Sequence, residues 1–304
     1  MSLVIVGSVA YDAIETPYGK TDKIVGGAAT YAGIAASYIY HPIRIVSVVG
    51  DDFGADNLAL FTSRGIDISG IQIKPGEKSF FWSGKYHEDL NRRDTLITDL
   101  NVLANFNPVI PDSYLDCEYL LLGNLTPQVQ LIALERLKGN PKLIVLDTMN
   151  FWMDIALDDL LHVLRKIDVL TINDEEARQL SGEYSLVKAA EKILKMGPKY
   201  LIVKKGEHGA LLFGEGKIFA APALPLAEVF DPTGAGDSFA GGFIGYLAKH
   251  GIVNFEHMRN AIIYGSTLAS FCVEKFGVHR ISDLDTSAIQ ERIEKFSELT
   301  RFTL

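Results

Sequence analysis

Residues 231–243 read Asp-Pro-Thr-Gly-Ala-Gly-Asp-Ser-Phe-Ala-Gly-Gly-Phe, a stretch rich in glycine and other small residues with an aspartate at each end of its turn. Its centre, Gly234-Ala235-Gly236, has no bulky side chain, so backbone N–H groups there can approach a ligand closely. An apolar, glycine-rich helical pattern follows to about residue 249. The first N–H groups of a helix are unpaired and its N-terminal end is positive, so this turn and helix predict an anion-binding site.

Asp237 places a carboxylate at the mouth of this predicted anion site. Such a placement favours a reaction between two groups, because in phosphoryl transfer an alcohol loses a proton while the transferred group gathers negative charge. We therefore expect Asp237 to accept the proton and the backbone amides of residues 235–237 to hold phosphate oxygens. For the short Gly-Ala-Gly-Asp string alone, the alternative is a tight loop followed by an acid that suits the first turn of a helix.

The full thirteen-residue string resembles the C-terminal signature of the PfkB/ribokinase family of carbohydrate and nucleoside kinases. The resemblance implies a ribokinase-like α/β fold, a three-layer α/β/α sandwich with a mostly parallel central sheet and a small inserted β-sheet lid. It implies that Asp237 is the catalytic base and that Gly234, Ala235 and Gly236 form an anion hole. The implied cofactors are ATP and Mg²⁺.

The composition of the 304-residue chain is that of an ordinary soluble enzyme, with 48% hydrophobic and 22% charged residues. A net charge of −9 argues against nucleic-acid partners, whose binding proteins carry a basic face. The two cysteines, Cys117 and Cys272, lie far apart without metal-ligand spacing, which is typical of a reducing compartment. We find neither a membrane-spanning apolar run nor a signal peptide, and therefore expect a cytoplasmic protein without a membrane partner.

Apolar strands alternate regularly with helices from residue 119 onward. Strands are expected at residues 119–123, 142–147, 169–173 and 199–205, in addition to residues 3–7 and 43–50 nearer the N-terminus. Strands that are apolar throughout are typical of a parallel sheet covered by helices on both faces. We expect one α/β domain spanning residues 1–304.

Two segments, at about residues 12–25 and 71–106, break this alternation because they are polar, turn-rich and strand-like. In the second, period-two alternation places Phe80, Trp82 and Tyr86 on one face. A small sheet with an aromatic face fits either a lid over the site or a subunit interface. The family resemblance implies a lid over the substrate, and in many family members the lids pair in a homodimer.

A polar string, Asn-Asp-Glu-Glu at residues 173–176, stands where a predicted strand ends and a helix begins. One interpretation is a capped helix with acids in its first turn. The other is a ligand site, because open α/β sheets bind ligands at the carboxyl ends of their strands. The string resembles the family's Asn-x-x-Glu motif, which implies that Asn173 lies near the magnesium ion and the nucleotide and that Glu176 is the metal-linked residue.

Residues 204–209, Lys-Lys-Gly-Glu-His-Gly, resemble the family's Gly-x-x-Gly nucleotide loop, which implies that Gly206 and Gly209 bind the cofactor. Lys204 stands where the family usually has Thr or Ser, and it either reaches the nucleotide phosphates or faces solvent. Ser266 lies in a stretch of small residues on a predicted helix, and in the family that this chain resembles the counterpart of that helix lines the adenine pocket. Close helix packing explains that stretch equally well.

Residues 7–12 and 26–29 resemble the family's substrate-binding elements. Asp12 would accept hydrogen bonds from sugar hydroxyls, and Gly26-Gly27 would let the backbone approach the sugar. Tyr31 stands where the family very often has Asn. Together with the aromatic face that includes Trp82, it leaves room for a stacked base and favours a nucleoside, adenosine-like, with a free pentose or hexose as the alternative.

Some members of the family also need a monovalent cation such as K⁺ beside the anion hole, and Asp231 is the side chain we would link to it. The sequence predicts an ATP-dependent kinase acting on a primary hydroxyl of a ribose-bearing small molecule. A sugar- or nucleoside-sensing protein that kept the fold and lost turnover is the alternative class. Such a protein would carry a damaged base or anion hole, whereas Asp237 and the preceding turn are intact.

Overall fold

The computed structural model describes residues 2–301. Its strands are β1 (Leu3–Val6), β2 (Ala10–Thr16), β3 (Gly19–Lys20), β4 (Ile24–Gly26), β5 (Ile43–Gly50), β6 (Ile66–Lys74), β7 (Phe81–Tyr86), β8 (Arg93–Asp99), β9 (Tyr119–Leu122), β10 (Leu143–Asp147), β11 (Val169–Asn173), β12 (Tyr200–Lys204), β13 (Ala210–Gly214) and β14 (Lys217–Ala221). Its α-helices are α1 (Ala28–Ser37), α2 (Ala55–Thr62), α3 (Pro127–Arg136), α4 (Asn150–Ile155), α5 (Leu157–Leu164), α6 (Asp174–Ser181), α7 (Leu186–Leu194), α8 (Ala235–His250), α9 (Phe255–Cys272) and α10 (Thr286–Thr300). No helix within residues 2–301 is both long and apolar enough to cross a lipid bilayer.

Nine of these strands form one large sheet, in the order β14-β13-β12-β11-β10-β9-β1-β5-β6. Neighbouring strands from β6 to β12 are parallel, and β13 and β14 extend the sheet as an antiparallel hairpin. Strand β1 is apolar throughout because Leu3 and Ile5 pack into the core on one face while Val4 and Val6 pack into the core on the other. Helices complete both cores, which confirms the predicted α/β/α layering around a mostly parallel sheet.

A second sheet has the order β3-β2-β7-β8, with β4 also paired to β2, and occupies residues 10–26 and 81–99. The prediction of a second lid segment at 71–106 was too long. Residues 71–74 belong to β6 in the large sheet, and residues 101–105 form a short 3₁₀ helix. Strand β6 is one of the two edge strands, so only part of it is buried and polar residues alternate with its isoleucines.

Helix α8 is rich in glycine because it packs closely against its neighbours. A β-carbon on Gly241 would lie 2.2 Å from the carbonyl oxygen of Ala32 in α1, a distance that real side chains cannot adopt. This packing fixes the N-terminal end of α8 beside the carboxyl end of β12. The ammonium of Lys204, the last residue of β12, lies 3.1 Å from the position that a β-carbon on Gly236 would take.

Candidate active site

The turn before α8 adopts the conformation that its glycines predict. Gly234 caps the helix in the left-handed region, with φ of 75°, which favours glycine over any other residue. The N–H of Ala235 donates to the carbonyl of Pro232 at 3.2 Å. Within residues 2–301, the amides of Gly234, Gly236 and Asp237 donate to no other backbone group. Of the three amides predicted to hold phosphate oxygens, that of Ala235 is therefore used within the turn, while those of Gly236 and Asp237 are not, and Gly234 adds a further free amide.

Asp237 lies in the first turn of α8, directly after these amides. Burial and then the nearby Asp147 carboxylate raise the pKa of its carboxyl, Lys204 and Arg93 act in the opposite direction, and the resulting pKa is about 6. The carboxylate is therefore ionised at neutral pH and has a pKa close to it. A general base works best when its pKa lies near the working pH.

Tyr31 packs directly beneath the turn. A β-carbon on Gly234 would lie 2.4 Å from ring carbons of Tyr31, and the tyrosine itself is only 1% exposed. Its hydroxyl has no hydrogen-bond partner among residues 2–301, and burial, followed by the charge of Asp12, raises the pKa of that hydroxyl well above its usual value. The turn thus covers one side of the Tyr31 ring. Tyr31 therefore supports the turn and also lies near Asp12, a predicted substrate-binding residue.

Asp12 is 5% exposed and lies on β2, where Gly26 makes room for it. A β-carbon on Gly26 would lie 1.9 Å from the carboxylate oxygen Oδ2 of Asp12, so a side chain there would displace the carboxylate. Gly27, with φ of 96°, begins α1 beside it. Trp82 is the register partner of Asp12 across the parallel pair β2–β7, so both side chains leave the same face of the small sheet. The structure thus brings together these four predicted substrate residues.

Asp12→Asn is expected to change the pH dependence of stability. Burial, and then the charges of Asp231 and Asp237, raise the pKa of Asp12 to about 8. A raised folded-state pKa stabilises the protein below the unfolded pKa of about 4, and this contribution is lost as the pH rises towards 8. The Asn variant avoids the loss, so its stability relative to wild type should grow by about 1 kcal/mol per pH unit over that range.

Urea unfolding of both proteins at several pH values between 4 and 8 measures this difference. The variant keeps an oxygen that can accept the hydrogen bond from the Gly27 backbone, so lost hydrogen bonding does not confuse the comparison. A stability difference that does not vary with pH would mean that Asp12 titrates as an exposed carboxyl.

The small sheet reaches both loops of the site. The hydroxyl of Thr233 donates to the hydroxyl oxygen of Tyr86 at 3.1 Å. Between β7 and β8, the Asn91 side-chain oxygen lies 2.6 Å from the position of a β-carbon on Gly206. Arg93, at the start of β8, lowers the pKa of Asp237. The sheet therefore contacts the anion-hole turn and the predicted nucleotide loop together, as a closed lid would, while pairing of two lids in a homodimer stays a prediction.

Asn173 and Glu176 form a reciprocal cap at the start of α6. The Asn173 N–H donates to Glu176 Oε2 and the Glu176 N–H donates to Asn173 Oδ1, both at 2.8 Å. The capped-helix interpretation of this string is therefore correct. Burial raises the pKa of Glu176 to about 7, although Lys204 acts in the opposite direction. Since one carboxylate oxygen of Glu176 makes the cap, the other is left for a metal ion or its water.

These residues fit a magnesium ion that arrives with a nucleotide. Mg²⁺ is usually bound by one or two protein carboxylates together with substrate phosphates and water. Within residues 2–301, no group of three or more His, Cys, Asp or Glu side chains is arranged to hold a metal ion by itself. Glu176, next to the carboxyl ends of β11 and β12, offers a carboxylate of the kind such a shared site needs.

Lys204 does not face solvent. Its ammonium lies 2.8 Å from Asp147 Oδ2, and the two side chains are 18% and 9% exposed. Asp147, the last residue of β10, was not identified from the sequence. The sequence does contain a pattern that could have identified Asp147, because this residue ends an apolar strand just as Asn173 does. The carboxyl ends of parallel strands lie side by side, so the two residues are expected near the same site.

The remaining predicted residues have structural partners. Both carboxylate oxygens of Asp231 accept backbone hydrogen bonds at 2.8 Å, from Thr233 and Gly277, and the residue is 0% exposed. Asp231 thus joins the turn to a second loop, and a role beside a monovalent cation stays a prediction. Gly209 has φ of 82° and packs against the backbone of β14. Ser266 is half-buried on α9, where small residues allow close packing against α8.

Comparison with known proteins identifies the family. Residues 1–285 match the pattern described as pfkB family carbohydrate kinase. This chain belongs to the pfkB family. A cytidine kinase from Thermococcus kodakarensis is 33% identical over 250 residues, which cover 80% of this chain and 87% of the relative. The expectation of a phosphotransferase acting on an alcohol group is thereby confirmed.

Solved structures agree on the fold. A protein assigned as Ribokinase II from E. coli, solved with ATP and Mg²⁺, has a TM-score of 0.78 at 22% identity and covers 98% of this chain and 99% of its own. A nucleoside kinase from Burkholderia thailandensis in complex with inosine has a TM-score of 0.77 at 20% identity, with 96% and 97% covered. The ribokinase-like fold is confirmed.

Proposed function

We propose that this pfkB-family protein is an ATP-dependent nucleoside kinase that transfers the γ-phosphate of ATP to the primary hydroxyl of a ribonucleoside. One observation carries the proposal. The buried carboxylate of Asp237 directly follows a left-handed glycine turn in which the amides of Gly234 and Gly236 have no backbone partner among residues 2–301. A base and an anion hole in one turn suit the attack of an alcohol on a phosphoryl group. An intact base and turn also argue against the nucleoside-sensing alternative.

In the proposed reaction the substrate hydroxyl oxygen attacks the γ-phosphorus, and its proton passes to Asp237. The bond from the γ-phosphorus to the bridging oxygen breaks, and ADP leaves with the electron pair. The amides of Gly234 and Gly236 donate to the phosphoryl oxygens as negative charge develops there. Glu176 together with the nucleotide phosphates would hold a magnesium ion, which would neutralise phosphate charge.

The nucleotide would enter at the opposite side of the turn from the substrate. Gly206 and Gly209 offer backbone without side chains beside β12, and Asn173 and Lys204 end neighbouring strands there. Ser266 on α9 is the candidate contact for the adenine ring. Closure of the lid over these loops would exclude water, which otherwise competes with the substrate as phosphoryl acceptor. A monovalent cation beside Asp231 remains part of the proposal.

Two observations favour a nucleoside over a free sugar. Trp82 and Asp12 leave the same face of the lid sheet, so one residue can bind ribose hydroxyls while the other stacks on a base. The relative with 33% identity over 80% of the chain is a cytidine kinase, which makes cytidine the first substrate to test, ahead of adenosine. A free pentose or hexose is the alternative acceptor.

The test is ADP release from MgATP with a panel of nucleosides and sugars, with the Asp237→Asn protein as the blank. Turnover on one or more nucleosides, absent from the blank, is the expected result. Turnover on free sugars alone would retain the kinase and overturn the nucleoside proposal. Binding of a nucleoside without any turnover would replace the kinase by the sensing protein.

Trp82→Ala is expected to raise KM for the nucleoside about 5- to 100-fold while leaving KM for ATP within about twofold. Stacking of a base on an aromatic side chain contributes about 1–3 kcal/mol, and only the nucleoside would lose it. Initial rates at varied nucleoside and at varied ATP separate the two constants. Equal KM values for the nucleoside in the variant and in wild type would place the base away from Trp82.

A further inference from the structure

We propose that Lys204 is a catalytic residue of the phosphoryl-transfer step, whose ammonium Asp147 holds over the anion-hole turn. This inference rests on the proposed kinase function and assigns Lys204 a role beyond that of a contact that retains ATP. The sequence pattern placed Lys204 only at the border of the nucleotide loop. The structure instead brings its ammonium to the turn itself, 3.1 Å from the position of a β-carbon on Gly236.

The path of the side chain explains how it gets there. Lys204 ends β12 and Asp147 ends β10, with β11 lying between these two strands. Lys204 is the register partner of Asn173 at the end of β11. Its side chain must therefore cross the end of β11 to bring Nζ within 2.8 Å of Asp147 Oδ2. The Lys204–Asp147 pair thus spans the carboxyl ends of β10, β11 and β12, and the turn before α8 lies at the same ends.

The burial of this ion pair argues for a role in function. The two side chains are 18% and 9% exposed, so both charges have lost much of their hydration. Removing an ammonium and a carboxylate from water costs about as much as their attraction returns, and a buried pair is therefore weak evidence for stability. Because the ammonium has already lost most of its hydration, it can bind a negatively charged ligand without a further desolvation cost.

The negative charges that surround the ammonium of Lys204 make a cation necessary at this position. Its ammonium is influenced by three carboxylates, those of Asp147, Glu176 and Asp237. A nucleotide triphosphate would bring further negative charge to the same place. Without Lys204, the carboxylates would repel the phosphoryl group that the adjacent amides are meant to hold, and the fixed ammonium offsets this repulsion.

The same position gives Lys204 a part in the reaction. As the acceptor oxygen bonds to the γ-phosphorus and the bond to the bridging oxygen of ADP breaks, negative charge lies on the phosphoryl oxygens. The ammonium, beside Gly236, donates hydrogen bonds to those oxygens together with the backbone amides. Asp147 acts as a positioning residue, because it holds the flexible lysine side chain in place before the substrate binds.

The test compares Lys204→Met and Asp147→Asn with wild type. Lys204→Met should lower kcat about 10²–10³-fold, the usual effect of removing one donor to developing negative charge, with KM for ATP changed by less than about threefold. The acidic limb of the pH profile of kcat/KM should also move. Lys204 lowers the pKa of Asp237, so the limb should shift to higher pH in Lys204→Met. Asp147→Asn should lower kcat as well, because the lysine side chain loses the carboxylate that holds it at the turn.

Lys199→Met is the matched control. Lys199 precedes β12 and pairs with Asp168 at 2.8 Å, the same distance as the active-site pair, but at the opposite end of the strand and with 72% of the lysine side chain exposed. Its loss should leave kcat and the pH profile unchanged. Lys204→Arg, which keeps the charge, should retain more of kcat than Lys204→Met.

Three results would overturn the inference. If Lys204→Met keeps the wild-type kcat and only KM for ATP rises, Lys204 is a binding contact. If Lys204→Met does not fold, Asp147→Asn decides, and a wild-type kcat in that variant overturns the role. If wild type itself turns over no nucleoside or sugar, the proposed kinase function fails together with the inference, which distinguishes that failure from the other two.

Discussion

Asp237→Asn is expected to lower kcat by about 10²–10⁴-fold, the usual contribution of a general base, with little change in the affinity for MgATP. The side chain keeps its size and its ability to accept a hydrogen bond, but the amide cannot take the proton of the substrate hydroxyl. Initial rates of ADP release give kcat, and calorimetric titration with MgATP gives the affinity. Near-normal kcat in the variant would remove Asp237 from the chemistry.

The pH dependence makes the same prediction sharper. Burial raises the pKa of Asp237 to about 6, so the wild-type rate should fall as the pH drops below 6 and the carboxylate takes up a proton. The Asn variant has no carboxylate at this position, so its low residual rate should lack this acidic limb. A limb that survives in the variant would belong to another group.

A control variant distinguishes a general base at Asp237 from an acidic residue that only stabilises the N-terminal end of a helix. Asp56 occupies the first turn of α2 and is exposed, so Asp56→Asn tests what a favourable interaction with the helix dipole contributes by itself. That contribution is about 0.3–1 kcal/mol of stability and should not affect turnover. Were Asp237 only such an acid, the two variants would behave alike.

Local patterns were enough to predict much of the fold. Strands β5 and β11 have the predicted bounds because their residues are apolar throughout and glycine or a polar residue ends them. Helix α8 begins where the turn predicts, since the left-handed residue Gly234 stands directly before it. Strand β6 and helix α2 were missed because they lie at the sheet edge, where burial is partial and the hydrophobic pattern is weak.

The parts of the site that escaped prediction depend on distant residues. Asp147 and Lys204 are 57 positions apart and meet only because β10, β11 and β12 lie side by side. The contact between Tyr86 and Thr233 spans 147 positions and depends on how the small sheet folds over the turn. Neither the order of strands nor the placement of a second sheet has a local signal, whereas a glycine turn and a capped helix do.

Gly234→Ala is expected to cost both stability and turnover. An alanine at φ of 75° adopts a conformation that disfavours it by roughly 1–2 kcal/mol, and its β-carbon would lie 2.4 Å from the ring of Tyr31. Overpacking of this kind adds about 1–3 kcal/mol. If the turn moves to relieve the collision, its amides leave the phosphoryl oxygens and kcat should fall about 10²–10³-fold.

Gly251→Ala is the matched control at the other end of the same helix. Gly251 has φ of 71°, and a β-carbon there would meet no atom of the described part of the chain within 4 Å. This variant therefore carries the cost of the left-handed conformation alone, so it should lose about 1–2 kcal/mol and keep its kcat. The difference between the two variants in urea unfolding isolates the collision with Tyr31.

Tyr31→Ala combined with Gly234→Ala completes the measurement. Removing the ring removes the collision, so the double variant should be less destabilised than the sum of the two single changes, with a coupling of about 1–3 kcal/mol. Additive losses would mean that the turn and the ring do not press on each other. In that case the fall in kcat of Gly234→Ala would come from the strained left-handed backbone at residue 234 and not from a collision with the ring of Tyr31.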